Sequence, residues 1–340
     1  MVSVALWSSI AMLGALSAPA FAASRTSSAS AQARWQHTIA QLATPGSGCF
    51  DASYPALRWH ATPCAVAPQV AYAPASPQAV GDGKDYSAVV TGLISKATGT
   101  FTNVSPNITE KGKPGNQGAA KANTFSLQLN SEFFSSPRCS GASKPAKCVG
   151  WEQFVYTTAP NDVFMQYWML DYDTNCPSGW FTYNVAGHVY CYTNSPAAHV
   201  KGGAITAKDL ARVQLAGQAV AGGNDQVSLA LGSGTATAVS NRDNVVTLAS
   251  SWHSAEFGVY GDGGGGSANF GKNTTLQAQT TLIASTSAAP KCVKEGFTGE
   301  TNNLNLVHTP ALGSQPSPTI ASRQTNAAAS KASCASAPGT

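Results

Sequence analysis

Two strand-like segments each set a single glutamate among aromatic residues: Gly150-Trp151-Glu152-Gln153-Phe154-Val155-Tyr156 and Trp252-His253-Ser254-Ala255-Glu256-Phe257. The 340-residue chain has only six glutamates, so a carboxylate inside an apolar, β-prone run is not background. Burial penalises the charged form of such a carboxyl group, and proteins make acid–base catalysts this way. Peptide hydrolysis without a nucleophilic side chain needs a base beside water and a donor at the oxyanion. A Glu–Gln pair supplies both, as does a Glu–Glu pair sharing one proton in acid.

Side chains alternate faces along a strand. Trp151, Gln153 and Val155 therefore share one face, and Glu152, Phe154 and Tyr156 the other. In the second segment Glu256 lies with Ser254 and Gly258 on the smaller, more polar face. That aims Glu256 into a groove while Phe257 and Val259 pack between sheets. Both faces of the first strand carry aromatics, so either Glu152 or Gln153 can join Glu256. The expected roles are Glu256 as base and Gln153 as oxyanion partner, with Glu152 the alternate partner. Trp168, Tyr167 and Trp252 are the expected substrate contacts, and neither a metal nor a cofactor is expected. Asp171-Tyr172-Asp173-Thr174-Asn175 begins like a calcium loop, but Cys176 replaces its turn glycine.

Two carboxylates in a concave sandwich are also what a glycosidase uses. Tyr167, Trp168, Tyr183 and Tyr190 are of the type that stacks on sugars. The alternatives are therefore a carbohydrate-binding or glycan-cleaving sandwich, or a non-catalytic secreted structural protein.

The elements that must hold these residues are strands. From about residue 86, short runs rich in Val, Ile, Thr, Phe, Tyr and Trp are punctuated by Gly, Pro, Asn and Asp. Strands are predicted over residues 87–94, 99–104, 124–130, 150–158, 163–171, 180–183 and 188–192. Further ones are predicted over 213–220, 226–231, 235–239, 244–249, 252–260 and 274–283. Helix is confined to 32–42 and, weakly, 207–215. This spacing predicts an all-β, antiparallel two-sheet sandwich over residues 81–308. The glycine run at 261–266 lacks the lysine and the strand–helix setting of a phosphate loop and is expected to be a lip over the groove.

Charged residues make up 11% of the chain and the net charge is +4, with no dense basic cluster, which argues against nucleic-acid binding. An apolar run over residues 4–16 ends in Ala20-Phe21-Ala22, so residues 1–22 are expected to be a signal peptide. No later segment is long and apolar enough for a membrane span. Residues 23–80 are expected to be a leader or propeptide, or a strap on the main domain, and residues 309–340 a Ser/Ala/Pro-rich tail, mostly without regular structure unless Cys334 is tied back. The eight cysteines form no CxxC. The simplest sequential pairing joins Cys49 with Cys64, Cys139 with Cys148, Cys176 with Cys191 and Cys292 with Cys334. Disulfides imply an oxidising compartment, extracellular or periplasmic. The protein is expected to be a monomer acting on a polypeptide, with polysaccharide the alternative substrate.

Ser254-Ala255-Glu256-Phe257-Gly258-Val259, followed by Ala268-Asn269-Phe270, resembles the late strands of the glutamic peptidases called eqolisins. Thr124-Phe125-Ser126-Leu127-Gln128-Leu129, then Gly150-Trp151, Gln166-Tyr167-Trp168, Asp171, Cys176 and Pro177, resembles the related neprosin family. The resemblance spans about residues 120–285. It implies a sandwich of the concanavalin A type, secretion with a leader, and peptide hydrolysis in acid by a Glu–Gln or Glu–Glu pair. One departure stands out: aligned on Gly150-Trp151, the neprosin glutamate falls on Cys148. The roles of Glu256 and Gln153 therefore rest on strand geometry.

Overall fold

The computed structural model describes residue 1 and residues 20–74, 85–294, 296–327 and 334–336, with side chains before residue 30 and after 334 left aside. The apolar run at residues 4–16 lies outside the described residues. Two ten-stranded sheets pack face to face, with a small four-stranded sheet at one end. This is the antiparallel two-sheet β-sandwich expected from the strand spacing.

One sheet carries the site and is called the groove sheet. Its order runs Phe181–Val185, His188–Asn194, Asp162–Leu170, Val149–Thr157, Ser126–Ser131, Ser254–Tyr260, Ser87–Val89, Lys291–Lys294 and Ala335–Ser336. The back sheet is built on Gly48–Ser53, Thr235–Arg242, Asn224–Leu231, Val213–Gln218, Ile94–Thr102, Thr275–Ala284 and Thr319–Thr325. Between them lies one apolar core, where Phe154 stacks near Trp252 and Phe101 meets Phe257. Glycines make room for the large rings. A Cβ on Gly99 would sit 2.1 Å from the Phe257 ring, and one on Gly217 would sit 2.4 Å from Phe154. Gly99→Ala is expected to lower unfolding free energy by about 1–3 kcal/mol through overpacking, read from the urea midpoint in mild acid.

The N-terminal helix, Ala20–Gln41, is longer than the one predicted over 32–42. Trp35, Ile39 and Ala40 bury themselves with Phe50 and the small residues Ala216, Ala230, Ala236 and Ala238 on the outside of the back sheet. Lys96 Nζ donates to the Ala40 and Gln41 carbonyls at 3.1 and 2.9 Å, which occupies acceptors the helix end leaves open. Burial pushes this ammonium down to about 8. The disulfides Cys49–Cys64, Cys139–Cys148, Cys176–Cys191 and Cys292–Cys334 follow the sequential pairing.

Two sequence expectations need correcting, and the C-terminal segment is tied back by Cys334. Residues 244–249 are not a strand but two short 3₁₀ turns, Asp243–Val245 and Leu248–Ser250. The Asp243 carboxylate accepts from the Ala249 N–H and its carbonyl from Thr247, a local pairing that competes with sheet formation. The strand predicted over 87–94 splits, because Ser87–Val89 joins the groove sheet while Ile94 opens a back-sheet strand. Residues beyond 310 hold a strand, Thr319–Thr325, paired along Thr275–Ala284 with Ile320, Ser322 and Gln324 buried. It covers a long edge that would otherwise be open to other chains.

Candidate active-site groove

Register places the chemistry. Across five neighbouring strands Asn194 lies opposite Gln166, Gln166 opposite Gln153, Gln153 opposite Asn130 and Asn130 opposite Glu256. Strand alternation then aims all five side chains to one face, away from the core. Gln166 Nε2 donates to Asn194 Oδ1 at 2.8 Å. The Trp168 indole N–H is shared between Gln166 Oε1 and Gln153 Oε1, at 3.1 and 3.2 Å. Gln153 Nε2 donates to Asn130 Oδ1 at 3.2 Å, and Asn130 Nδ2 donates to Glu256 Oε2 at 2.9 Å. The result is a continuous polar row of four amides ending in one carboxyl group.

Gln153 and Glu256 flank Asn130 and lie two strand spacings, roughly 10 Å, apart at the backbone. Their side chains can therefore converge on one small group above Asn130. Burial pushes the Glu256 carboxyl up. Hydrogen bonds from Asn130, from the Phe297 and Thr298 N–H groups and from Tyr260 pull it back. Gln153 Nε2 also donates to Gln128 Oε1 at 3.1 Å. One of its N–H groups must change partner before it can serve a ligand.

Glu152 lies on the other face. It points between the sheets toward Asp225 and Asp243, which accompany it in the core. Burial first, then the charges of Asp225 and Asp243, hold Glu152 well above the usual carboxylate range. Burial and Asp243 do the same to Asp225. Glu152 therefore does not meet Glu256, and of the two candidates only Gln153 lies on the face that carries Glu256. Tyr167 also faces inward, its hydroxyl accepting from Asn241 Nδ2 at 3.3 Å. Trp252 packs against Phe154 in the core. Neither Tyr167 nor Trp252 reaches the groove, which corrects their expected role as substrate contacts. Trp168 does line it, stacked on Tyr192 at 4.8 Å and near Trp151 at 6.1 Å.

The groove is covered by the chain itself. Residues 65–74 run along the polar row as an extended strap. Asn194 Nδ2 donates to the Pro68 carbonyl at 2.9 Å and Gln166 Nε2 to the Val70 carbonyl at 3.0 Å. The Tyr72 N–H donates to Gln166 Oε1 at 2.8 Å, and the Gly299 N–H donates to the Ala73 carbonyl at 2.7 Å. Close by, the Phe297 N–H donates to Glu256 Oε2 at 3.1 Å. The glycine loop at 261–266 lies on the strap, its Gly264 N–H donating to the Ala71 carbonyl. A Cβ on Gly263 would strike Val70 at 2.6 Å, so only glycine allows this approach. Gln153 and Glu256 are both fully buried, Glu256 against the backbone of Phe297 and Thr298.

Other acids gather at the groove rim. Glu300 Oε1 accepts from the Gly265 N–H at 3.1 Å, and Glu300 Oε2 pairs with the Thr298 hydroxyl. Burial pushes Glu300 up to about 7 and Asp262 up to about 6. Asp171 and Asp173, the start of the calcium-like run, both face His188 Nδ1, at 3.3 and 3.1 Å. No group of His, Cys, Asp and Glu among the described residues has the geometry of a metal site. A cavity of about 690 Å³ opens elsewhere, lined in part by Arg138, Met169, Tyr172 and Trp180. It holds none of the polar-row side chains.

Composition could not show Asn130, Gln166, Asn194 or Glu300 as members of the site. The signal lay in phase: Asn130 pairs with Gln128 and Gln166 with Trp168 at alternate positions of their strands. Only the register across strands turns those phases into a row.

No family model matches the chain, and no curated protein matches it. Among solved structures it is similar to scytalido-glutamic peptidase with a transition state analog inhibitor. That match has 7% identity and a TM-score of 0.31, and covers 71% of this chain and 98% of the other. It is also similar to SCP-B, a member of the eqolisin family of peptidases, in a complex with the tripeptide Ala-Ile-His. There the identity is 10% and the TM-score 0.27, again over 71% of this chain and 98% of the other. At such identities residue roles do not transfer between chains.

Proposed function

We propose that this protein hydrolyses peptide bonds in acid, with Glu256 as general base and Gln153 as oxyanion donor. The observation that carries the reading is the polar row, which sets an amide and a buried carboxyl on either side of Asn130 and holds an extended peptide segment at its Gln166–Asn194 end. Ionised Glu256 takes a proton from water as its oxygen attacks the scissile carbonyl carbon. Gln153 Nε2–H donates to the oxygen that becomes negative. Collapse breaks the C–N bond, and the proton held by Glu256 passes to the leaving nitrogen. No side-chain nucleophile and no cofactor enters this sequence of steps.

The pH range follows from the carboxyl groups. Glu256 works as a base only when ionised, and a dry groove holds its carboxyl above the ordinary range. Entry of water and substrate lowers that barrier to ionisation, which puts activity in the acid to weakly acid range. The four disulfides fit an exported setting, and no described helix is long and apolar enough to cross a membrane. A polypeptide fits the row better than a polysaccharide does, because its amides already hold peptide N–H and C=O groups.

The test is digestion of denatured casein from about pH 3 to pH 7, which spans the ordinary and the raised range of a carboxyl base, followed by mass spectrometry of the fragments. Tyr72→Gly is assayed beside the parent so that a seated strap cannot hide activity. Gln153→Ala in the Tyr72→Gly chain is expected to lower kcat by about 10²–10³, the usual loss for one oxyanion donor. No cleavage by the Tyr72→Gly chain, or equal cleavage after Gln153→Ala, removes Gln153 and the reading with it.

A further inference from the structure

The geometry points to residues 65–74 as an intramolecular peptide ligand that marks the subsites of the groove, with Asn194 and Gln166 as its backbone clamps. The ligand class is an extended polypeptide carrying one aromatic residue between small ones. This assignment rests on the peptidase reading only for what happens after binding.

Four features carry it. First, the strap is held through its main chain. Asn194 and Gln166 take the Pro68 carbonyl, the Val70 carbonyl and the Tyr72 N–H, and Gly299 takes the Ala73 carbonyl. Main-chain bonding gives affinity without regard to sequence, as in other extended-peptide grooves. Second, Gln166 reads one C=O and one N–H of alternate residues. Asn194 Oδ1 and the Trp168 indole N–H take one site on each end of its amide, and the Val70 carbonyl and Tyr72 N–H take the other, a pairing that any extended peptide can offer.

Third, the side-chain positions differ in kind. Tyr72 is fully buried, its ring 5.9 Å from Phe164, and its hydroxyl donates to Asp262 Oδ1 at 3.3 Å. This is a deep pocket with a polar end, suited to tyrosine. Ala73 sits in the cluster of Trp151, Trp168, Tyr192 and Phe297, where a larger side chain meets four aromatic rings. Val66, by contrast, is exposed. Fourth, the strap is fixed at its N-terminal end by Cys64, bonded to Cys49 in a back-sheet strand. It can leave the groove and remain attached.

Glu256 Oε2 is already engaged by Asn130 and the Phe297 N–H, and the carboxyl is closed to solvent. Residues 297 and 298 close over the carboxyl beside the strap, so that segment also has to move before water reaches the base.

The experiment uses a fluorescent synthetic peptide with the sequence of residues 65–74, read by anisotropy on the full-length chain. All forms carry Glu256→Gln so that bound peptide persists. The Glu256→Gln chain is expected to bind the peptide weakly, because its own strap fills the groove. Adding Tyr72→Gly, which removes the buried anchor, is expected to tighten apparent binding by at least about ten-fold. Adding Gln166→Ala to that form is expected to reverse the gain, whereas Gln166→Glu, which keeps the acceptor for the Tyr72 N–H, retains part of it. Replacing tyrosine by alanine in the peptide is expected to cost about ten-fold or more. Circular dichroism and the thermal transition confirm that each form is folded. Equal binding to all forms, no binding to the folded Tyr72→Gly form, or retention of an oligosaccharide in place of peptide overturns the assignment. If peptide binds as expected and casein stays intact, the subsites stand and the hydrolytic reading alone fails.

Discussion

Between about pH 4 and pH 8 the protein is expected to lose several kcal/mol of stability, and Glu152→Gln is expected to return part of it at the upper end. The cause is a set of carboxyl groups that the fold buries in their neutral form. Burial raises Glu152, Asp225, Glu256, Glu300, Asp262 and Glu110, the last to about 8. The sign follows from proton binding. A carboxyl raised in the folded state binds more protons folded than unfolded across the interval between its two pKa values. Its stabilising contribution is complete below the unfolded value and is lost as pH rises through the folded one.

Glu300 gives the scale. It moves from 4.5 to about 7. At about 1.4 kcal/mol per unit, its ionisation alone withdraws roughly 3 kcal/mol over that window. Glu152 and Asp225 interact directly, so these two titrate as a unit rather than site by site. Glu152→Gln removes one charge from that unit at nearly constant volume. Thermal unfolding of the parent and Glu152→Gln from about pH 3 to pH 8 is the check. The two curves should meet in acid and diverge above about pH 5, the variant lying higher. Parallel curves, or a parent that gains stability with rising pH, would show that the core carboxyls are not held neutral.

Glu256→Gln is expected to abolish peptide hydrolysis while leaving the fold intact. Removing a general base costs about 10²–10⁴ in rate, and here the same group also returns the proton to the leaving nitrogen. The loss should therefore reach the upper end of that range, in kcat more than in KM. The fold should tolerate the change well. A glutamine can still accept from Asn130 Nδ2 and from the Phe297 N–H through its amide oxygen. It also sheds the cost of burying a carboxylate at neutral pH, so the variant should melt no lower than the parent there. A loss of activity with a lowered melting point in acid would instead mark Glu256 as a structural residue.

How much of this was legible in the sequence depends on which physical rule carried the signal. Alternation placed Glu256 opposite Phe257 and Val259, and the structure has that arrangement. The same rule separated Glu152 from Gln153 but could not say which face met the core, because Trp151 and Phe154 are equally apolar and both faces are buried. The undecided face is explained by the strap, which makes the outer side of the groove sheet a second interior. Alternation also forbids Tyr167 and Trp168 from sharing a face, so naming both as substrate contacts was at odds with the pattern itself. Residues 244–249 looked like a strand from Val245, Val246 and Thr247, yet Asp243 captured their backbone locally. The amide row was invisible for a different reason. Asn130, Gln153, Gln166 and Asn194 lie far apart in the chain, and only strand register joins them.

The most direct measurement compares Glu256→Gln with Glu152→Gln in one assay. Both are made in the strap-loosened Tyr72→Gly chain, and hydrolysis of an internally quenched peptide is followed from about pH 3 to pH 7 and compared at the optimum. The two glutamates sit on groove-sheet strands separated by the one that carries Asn130, both fully buried and both raised by burial, but on opposite faces. Hydrolysis should fall by about 10³ or more with Glu256→Gln and stay within about two-fold with Glu152→Gln. Equal loss in both, or loss in Glu152→Gln alone, would contradict the assignment of the chemistry to the groove face.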